Sequence, residues 1–184
     1  MKKIIALIVV CIMMFSFTGC EKKDDGNTLD IFYLNIDATA TVPEKYELKG
    51  SDESVDKKVD ELLDKLSSKP DDSKLRKTIP DDVEIKKHEE NAYSCTIDFS
   101  KSYYDMTAAE EVLMRASVVR TLTQLKQITY VMFTVDKAPL MNSDGEVIGS
   151  MNADDFVENP GEQINSSVKE TLTLFFSCNE GTGL

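Results

Sequence analysis

Residues 93–99 alternate without a break: Tyr93, Cys95, Ile97 and Phe99 on one face, Ser94, Thr96 and Asp98 on the other. Alternation with period two makes a strand with one buried and one wetted face. Such a strand obliges the rest of the chain to cover its apolar side, and two segments have the periodicity to do so. Val55, Val59, Leu62, Leu63 and Leu66 form one stripe of a helix. Ser51 is placed to cap that helix, with Asp52 and Glu53 in the first turn, and Pro70 blocks its continuation. A second helix opens on the capping box Thr107-x-x-Glu110 and is expected to run to about Lys126. Val112, Leu113, Ala116 and Val119 make its inner stripe. Val118, Leu122 and Leu125 widen that stripe, so more than one side should be covered.

The remaining strands follow from the same reading. Leu29 to Leu34 is the first. Thr41 to Leu48 is extended, but Pro43 confines it to an edge. Val83 and Ile85 alternate with Glu84 and Lys86, and Glu89-Glu90-Asn91 is the expected turn of a hairpin returning through residues 93–99. Ile128 to Val135 is apolar on both faces, as expected of a central strand. The order is β-α-β-β-α-β, which predicts an α+β fold with one mixed sheet and two helices packed on it. From Asp136 the chain loosens. Met141 to Asn159 reads as a long loop, closed by the stop Asn159-Pro160-Gly161.

The N-terminus bears on location. Lys2 and Lys3 precede an apolar run, Ile4 to Phe17, that is shorter than the about 20 residues a spanning helix needs. Thr18-Gly19-Cys20 follows, then the charged stretch Glu21 to Asp25. This is the pattern of a lipoprotein signal: residues 1–19 are the leader, and Cys20 receives a diacylglycerol and becomes the new N-terminus. Phe17 stands where such signals usually carry Leu. Two or more acyl chains anchor stably. Residues 20–27 read as a polar tether and residues 28–161 as the domain. The formal net charge is −12. Loss of Lys2 and Lys3 with the leader makes it more negative. This excludes nucleic acid as a partner and leaves the lipid bilayer to be met through acylated Cys20, not through a basic surface.

Thr171 to Glu180 resembles Thr28 to Asp37 position by position: Thr-Leu, then Leu or Ile, two aromatics and a short polar turn. Residues 162–184 therefore read as a linker and the first strand of a truncated second repeat. A lone strand neither buries a face nor pairs its backbone, so Val168 to Cys178 is expected to be poorly ordered or to pair with an open edge. Cys11 leaves with the leader. Cys95 and Cys178 read as buried small hydrophobes in preference to a bridge.

Little else carries chemistry. His88 is the one histidine and, between Lys87 and Glu89, is expected at the surface, since a triad or metal site needs partners. There is no Gly-rich phosphate cradle and no Gly-x-Ser-x-Gly. Asn142-x-Asp144-Gly145 matches half a calcium loop, but Leu140 and Met151 occupy the positions of its first ligand and its Glu. Asp98, beside Ser100 and Lys101, is expected to cap the turn after its own strand. No catalytic residue, cofactor or metal is predicted, and Cys20 is the one residue with an assigned chemical role.

Several segments together carry a family resemblance. They are Leu29-Asp30-Ile31-Phe32-Tyr33-Leu34, Ile79-Pro80, Thr96-Ile97-Asp98-Phe99-Ser100, Arg120-Thr121-Leu122-Thr123-Gln124 and Val135-Asp136-Lys137-Ala138-Pro139. In this order and spacing the chain resembles a GerMN-domain lipoprotein of a spore-forming or related Gram-positive bacterium, over about Leu29 to Gly161. It departs where the family often has Gly, with Asp81-Asp82-Val83 after Pro80 and with Lys137 in the turn after the last strand. The resemblance implies an extracytoplasmic, membrane-anchored, non-enzymatic domain, often in tandem, linked to sporulation and spore germination. Its fold is similar to the ring-building modules of secretion systems, which implies assembly with other envelope proteins or with further copies of itself.

Two functions are therefore expected in order. The first is an assembly module whose sheet edges or helix face meet envelope proteins, with Asp56, Lys57, Asp60 and Asp64 as the exposed row. The alternative is a ligand-binding module for a cell-wall fragment or a small germinant, framed by Met141 to Asn159. It ranks second because that loop offers only Phe156 as an aromatic and the chain has no Trp.

Overall fold

The computed structural model describes residues 27–50, 53–142 and 144–156. The leader, Cys20, Ser51, Asp52 and the Thr171 to Glu180 echo lie outside the described residues. The chain divides after Ala153; of the second part only residues 154–156 are described.

Strand β1 (Thr28–Asn35) pairs antiparallel with β2 (Thr41–Glu47). Helix α1 (Val55–Ser67) follows, then the two-residue β3 (Leu75–Arg76), which pairs with the end of β1. The hairpin is β4 (Ile85–Asn91) and β5 (Ser94–Phe99). A 3-10 turn (Lys101–Asp105) leads to α2 (Ala108–Leu122), then β6 (Tyr130–Val135) and β7 (Ala138–Pro139). Because α2 carries the chain back across, β5 and β6 run parallel, while the other pairs are antiparallel.

The α+β class, the mixed strand directions and the two helices are those expected. Hydrogen bonding, however, divides the strands into two ladders, β2-β1-β3 and β4-β5-β6-β7. The reason lies on the second edge of β1, where side chains replace a neighbouring strand. Gln124 bonds both main-chain groups of Asp30 (2.8 and 2.7 Å). Phe32 N–H donates to Thr121 Oγ1 (3.1 Å), and Thr78 Oγ1 donates to Phe32 O (2.9 Å).

The core lies between these ladders and the helices. Cys95, Ile97 and Phe99 are fully buried, as the alternation requires, and so are Val59, Leu62 and Leu66 of α1 and Met114, Val118 and Leu122 of α2. Phe99 sits with its ring 5.4 Å from Tyr103 and 6.1 Å from Phe133.

Five details correct the sequence reading. The hairpin turn is Ala92-Tyr93, not Glu89 to Asn91: Asn91 pairs with Ser94, Ala92 takes φ 54°, and Tyr93 projects into solvent. An edge strand tolerates outward charges, so β4 continues through Glu89 and Glu90. Helix α1 starts after Ser54, whose side chain makes no capping bond. Helix α2 keeps its capping box but ends at Leu122, because the Gln124 amide donates to Arg120 O and Thr121 O and closes the last turn. Val112 is exposed and Met114 buried, so the inner stripe is rotated from the expected one. Strand β6 buries Val131, Phe133 and Val135 but leaves Tyr130 exposed and Met132 and Thr134 half-buried, so one face is fully covered.

The segment after β7 is also less loose than its composition suggests. Met151 and Val131 exchange two main-chain bonds of 2.8 Å, Ile148 N–H donates to Leu140 O, and Leu140 is buried.

Candidate functional site

The charged row on α1 and the one histidine come together at the junction of helix and hairpin. Asp56 and Asp60 stand one turn apart on the outer face of α1. His88 and Glu90, two residues apart on β4, project to one side of the strand. His88 Nε2 lies 2.7 Å from Asp60 Oδ1, and Nδ1 lies 2.7 Å from Glu90 Oε1 and 4.0 Å from Asp56 Oδ1. The imidazole is only 10% exposed, whereas the Asp56 and Asp60 side chains are 64% and 63% exposed. His88 is therefore not the expected surface residue; it joins hairpin to helix. Glu90 is a neighbour on the same strand, but Asp60 arrives from a helix 28 residues earlier, which no local pattern discloses. Burial by itself would lower the His88 pKa. The hydrogen bonds and charges of Asp60 and Glu90 outweigh burial and hold it above its ordinary value, favouring the imidazolium. Cys95 lies behind this cluster, 3.9 Å from Glu90 Oε1. Burial, with Glu90 adding to it, pushes its thiol up to about 12, so it is an inert core residue.

The rest of the expected row stands on the same outer face. Lys57 pairs with Glu53 at 3.6 Å, and Asp64 is exposed. The other flank of α1 is locked to β2: Glu61 Oε1 accepts from Tyr46 OH (2.5 Å) and Lys49 N–H (3.0 Å), and Lys65 Nζ lies 4.7 Å from the Tyr46 ring centre. Burial, then Glu61, raises the Tyr46 hydroxyl well above its ordinary pKa. The helix thus presents a rigid charged face.

The sheet edges are blunted. Strand β2 carries Pro43, Glu44 and Lys45. Strand β4 carries Lys86, Lys87, Glu89 and Glu90 and a register shift between Ile85 and Lys87. Pro, charge and bulges are what keep an exposed strand from recruiting another.

Asp98 caps a turn, but not the one after its own strand. Its Oδ1 accepts from Thr134 Oγ1 and from Lys137 N–H, both at 2.7 Å, and so holds the β6–β7 turn. There Asp136 and Lys137 take φ of 50° and 67°, the left-handed region that favours glycine. Asp136 is further held by Lys86 and by Lys101.

The loop expected to frame a ligand folds on itself. Asn142 Oδ1 accepts from the N–H groups of Asp144 (3.0 Å) and Glu146 (2.8 Å), so Asn142 acts as a turn-former. A cleft of ≈ 920 Å³ opens elsewhere, lined among others by Leu34, Ile36, Arg76, Lys77, Asp81 and Glu110. Among the described residues no helix is long and apolar enough to cross a membrane.

The profile of the Germane family, described as sporulation and spore germination, matches residues 30–141. Among solved structures, the tandem GerMN domains of the sporulation protein GerM from Bacillus subtilis align with a TM-score of 0.57 at 18% identity, covering 70% of this chain and 47% of that one. The first GerMN domain of the same protein aligns with a TM-score of 0.56 at 17% identity, covering 70% and 98%. The chain thus spans about half the length of the tandem structure. No curated protein matches it. At these identities the structural likeness carries the fold.

Proposed function

The chain belongs to the Germane family of sporulation and spore germination domains, and from that premise we propose that it is a lipid-anchored, extracytoplasmic module that binds other envelope proteins and carries out no catalysis. The leader and Cys20 supply the anchor in this reading, and the acidic domain stands off the membrane on its tether. The observation that carries it is the outer face of α1: Asp56, Lys57, Asp60 and Asp64 exposed together on a helix held rigid by His88 on one flank and Tyr46 on the other. A face already ordered loses little entropy on docking. Blunted edges on β2 and β4 favour this face over strand addition. Its mostly acidic character fits a partner with a basic patch.

The test is recovery of partners from crosslinked sporulating cells. Wild type is compared with Cys20→Ala and with the pair Lys57→Glu and Asp64→Lys, which spares the residues that hold His88. Partners lost with Cys20→Ala support the anchor, and partners lost with the charge pair support the face. Recovery of the same proteins with all variants removes both.

A second reading, a ligand-binding module for a small wall fragment, is favoured by the cleft at Ile36, Arg76 and Lys77, which has the size of a ligand site and mixes apolar, basic and acidic groups, Asp81, Asp82 and Glu110 among them. A muropeptide that raises the melting temperature of wild type but not of Arg76→Ala would place the ligand there.

A further inference from the structure

We propose that His88, Glu90 and Asp56 form a divalent-cation site, with zinc as the ion their chemistry suits, at the junction of α1 and the hairpin. One ligand atom from each residue lies within 4.8 Å of the other two. His88 Nδ1 is 2.7 Å from Glu90 Oε1 and 4.0 Å from Asp56 Oδ1. Those separations bracket the about 3.3 Å between neighbouring donors of a tetrahedral zinc ion with bonds near 2.0–2.1 Å. One imidazole nitrogen and two carboxylates form a borderline-to-hard donor set, of the kind zinc accepts. Water completes the shell on the side of Asp56, whose side chain is 64% exposed.

Asp60 makes this more than a meeting of acids. Its Oδ1 lies 2.7 Å from Nε2, so it accepts the Nε2–H hydrogen bond, keeps the proton on Nε2 and leaves Nδ1 as the nitrogen facing Glu90 and Asp56. A carboxylate behind a metal-binding histidine, holding its tautomer and raising its basicity, is the usual second layer of such sites. On binding, the Nδ1–H bond breaks, the proton leaves to solvent, and the Nδ1–metal bond forms. The two carboxylates balance the ion's charge. Asp56 comes from α1 and the other two ligands from β4, so the ion would staple helix to hairpin. This inference stands independently of the partner-binding role.

His88 is the chain's one histidine, so its imidazole nitrogens give unambiguous magnetic resonance signals. The experiment titrates the full-length chain in detergent micelles with zinc chloride, reading those signals together with calorimetry. The expected result is a shift of Nδ1 complete at one equivalent, with the Nε2 proton retained. Asp60→Asn weakens binding by about 10–100-fold. Glu90→Gln abolishes the Nδ1 shift. Asp56→Asn weakens binding while leaving the short bonds of His88 in place, so it reports on the site even where Glu90→Gln fails to fold. Heat without movement of the histidine signals, unchanged affinity in Asp56→Asn, or an equal response to magnesium overturns the proposal.

Discussion

The side-chain amide of Gln124 pairs with the main chain of Asp30 as a neighbouring strand would, accepting its N–H at 2.8 Å and donating to its carbonyl at 2.7 Å. One side chain thereby finishes the edge of β1 and closes α2. Gln124→Ala should cost about 1 kcal/mol, because the freed groups are partly reachable by water. Gln124→Glu should cost more, since it keeps the acceptor for the Asp30 N–H but turns an anionic oxygen toward the carbonyls of Asp30, Arg120 and Thr121. Urea denaturation midpoints of the two variants check the order.

Phe32 is held the same way, but in the core. Thr121 and Thr78 are buried, and their hydroxyls satisfy its N–H and C=O. Valine in place of either threonine conserves shape and strands one buried backbone group, at about 1–3 kcal/mol each. Both variants act on one residue, so the double mutant should depart from additivity. Thermal denaturation of the two singles and the double measures it.

The β6–β7 turn should improve with glycine. Lys137 sits at φ 67°, where a side chain costs roughly 1–2 kcal/mol, and the bond from its N–H to Asp98 survives the change. Lys137→Gly should therefore stabilise by up to about 1 kcal/mol, after the greater freedom of unfolded glycine is set against it. Asp98→Ala should destabilise by about 1.5–3 kcal/mol, the range for hydrogen bonds to a charged group. Opposite shifts in melting temperature are the expected signature.

Acid should loosen the start of α2. The Thr107 N–H, then its hydroxyl, hold the Glu110 carboxyl below its ordinary pKa. The Lys86 ammonium does the same first for Asp136. A depressed carboxylate adds stability that is fully present above the unfolded value of about 4.3 for Glu and is lost as pH falls through the folded one. Stability should thus decline from about pH 5 downward. Glu110→Gln should show a flatter decline, because its amide does not titrate. Denaturant midpoints across a pH series measure the slope.

The elements were legible because their causes are local. The 93–99 alternation, the Thr107 capping box and the Val55 to Leu66 stripe each act within a few residues. The capping box recurs in the structure as read, the strand alternation holds from Ser94 on but loses Tyr93 to the turn, and the stripe holds apart from half-buried Val55. Turn positions were less so. Nothing in Ala92-Tyr93 marks a turn by composition, and the Lys137 turn rests on an aspartate 39 residues away. The junction at His88 was invisible for the same reason: its partner Asp60 belongs to a different element.

By itself the sequence determined the fold class and the segments that form it, since backbone preference and burial pattern depend on neighbours along the chain. It also determined the family, through the order and spacing of short motifs. Tertiary structure alone decided that Gln124 and Thr121 stand in for a strand beside β1, that Asp98 holds a turn beyond the next helix and strand, and that Asp56 and Asp60 converge on His88. Those contacts join residues far apart in the chain, and only the packing of α1 and α2 on the strands brings them within hydrogen-bonding distance.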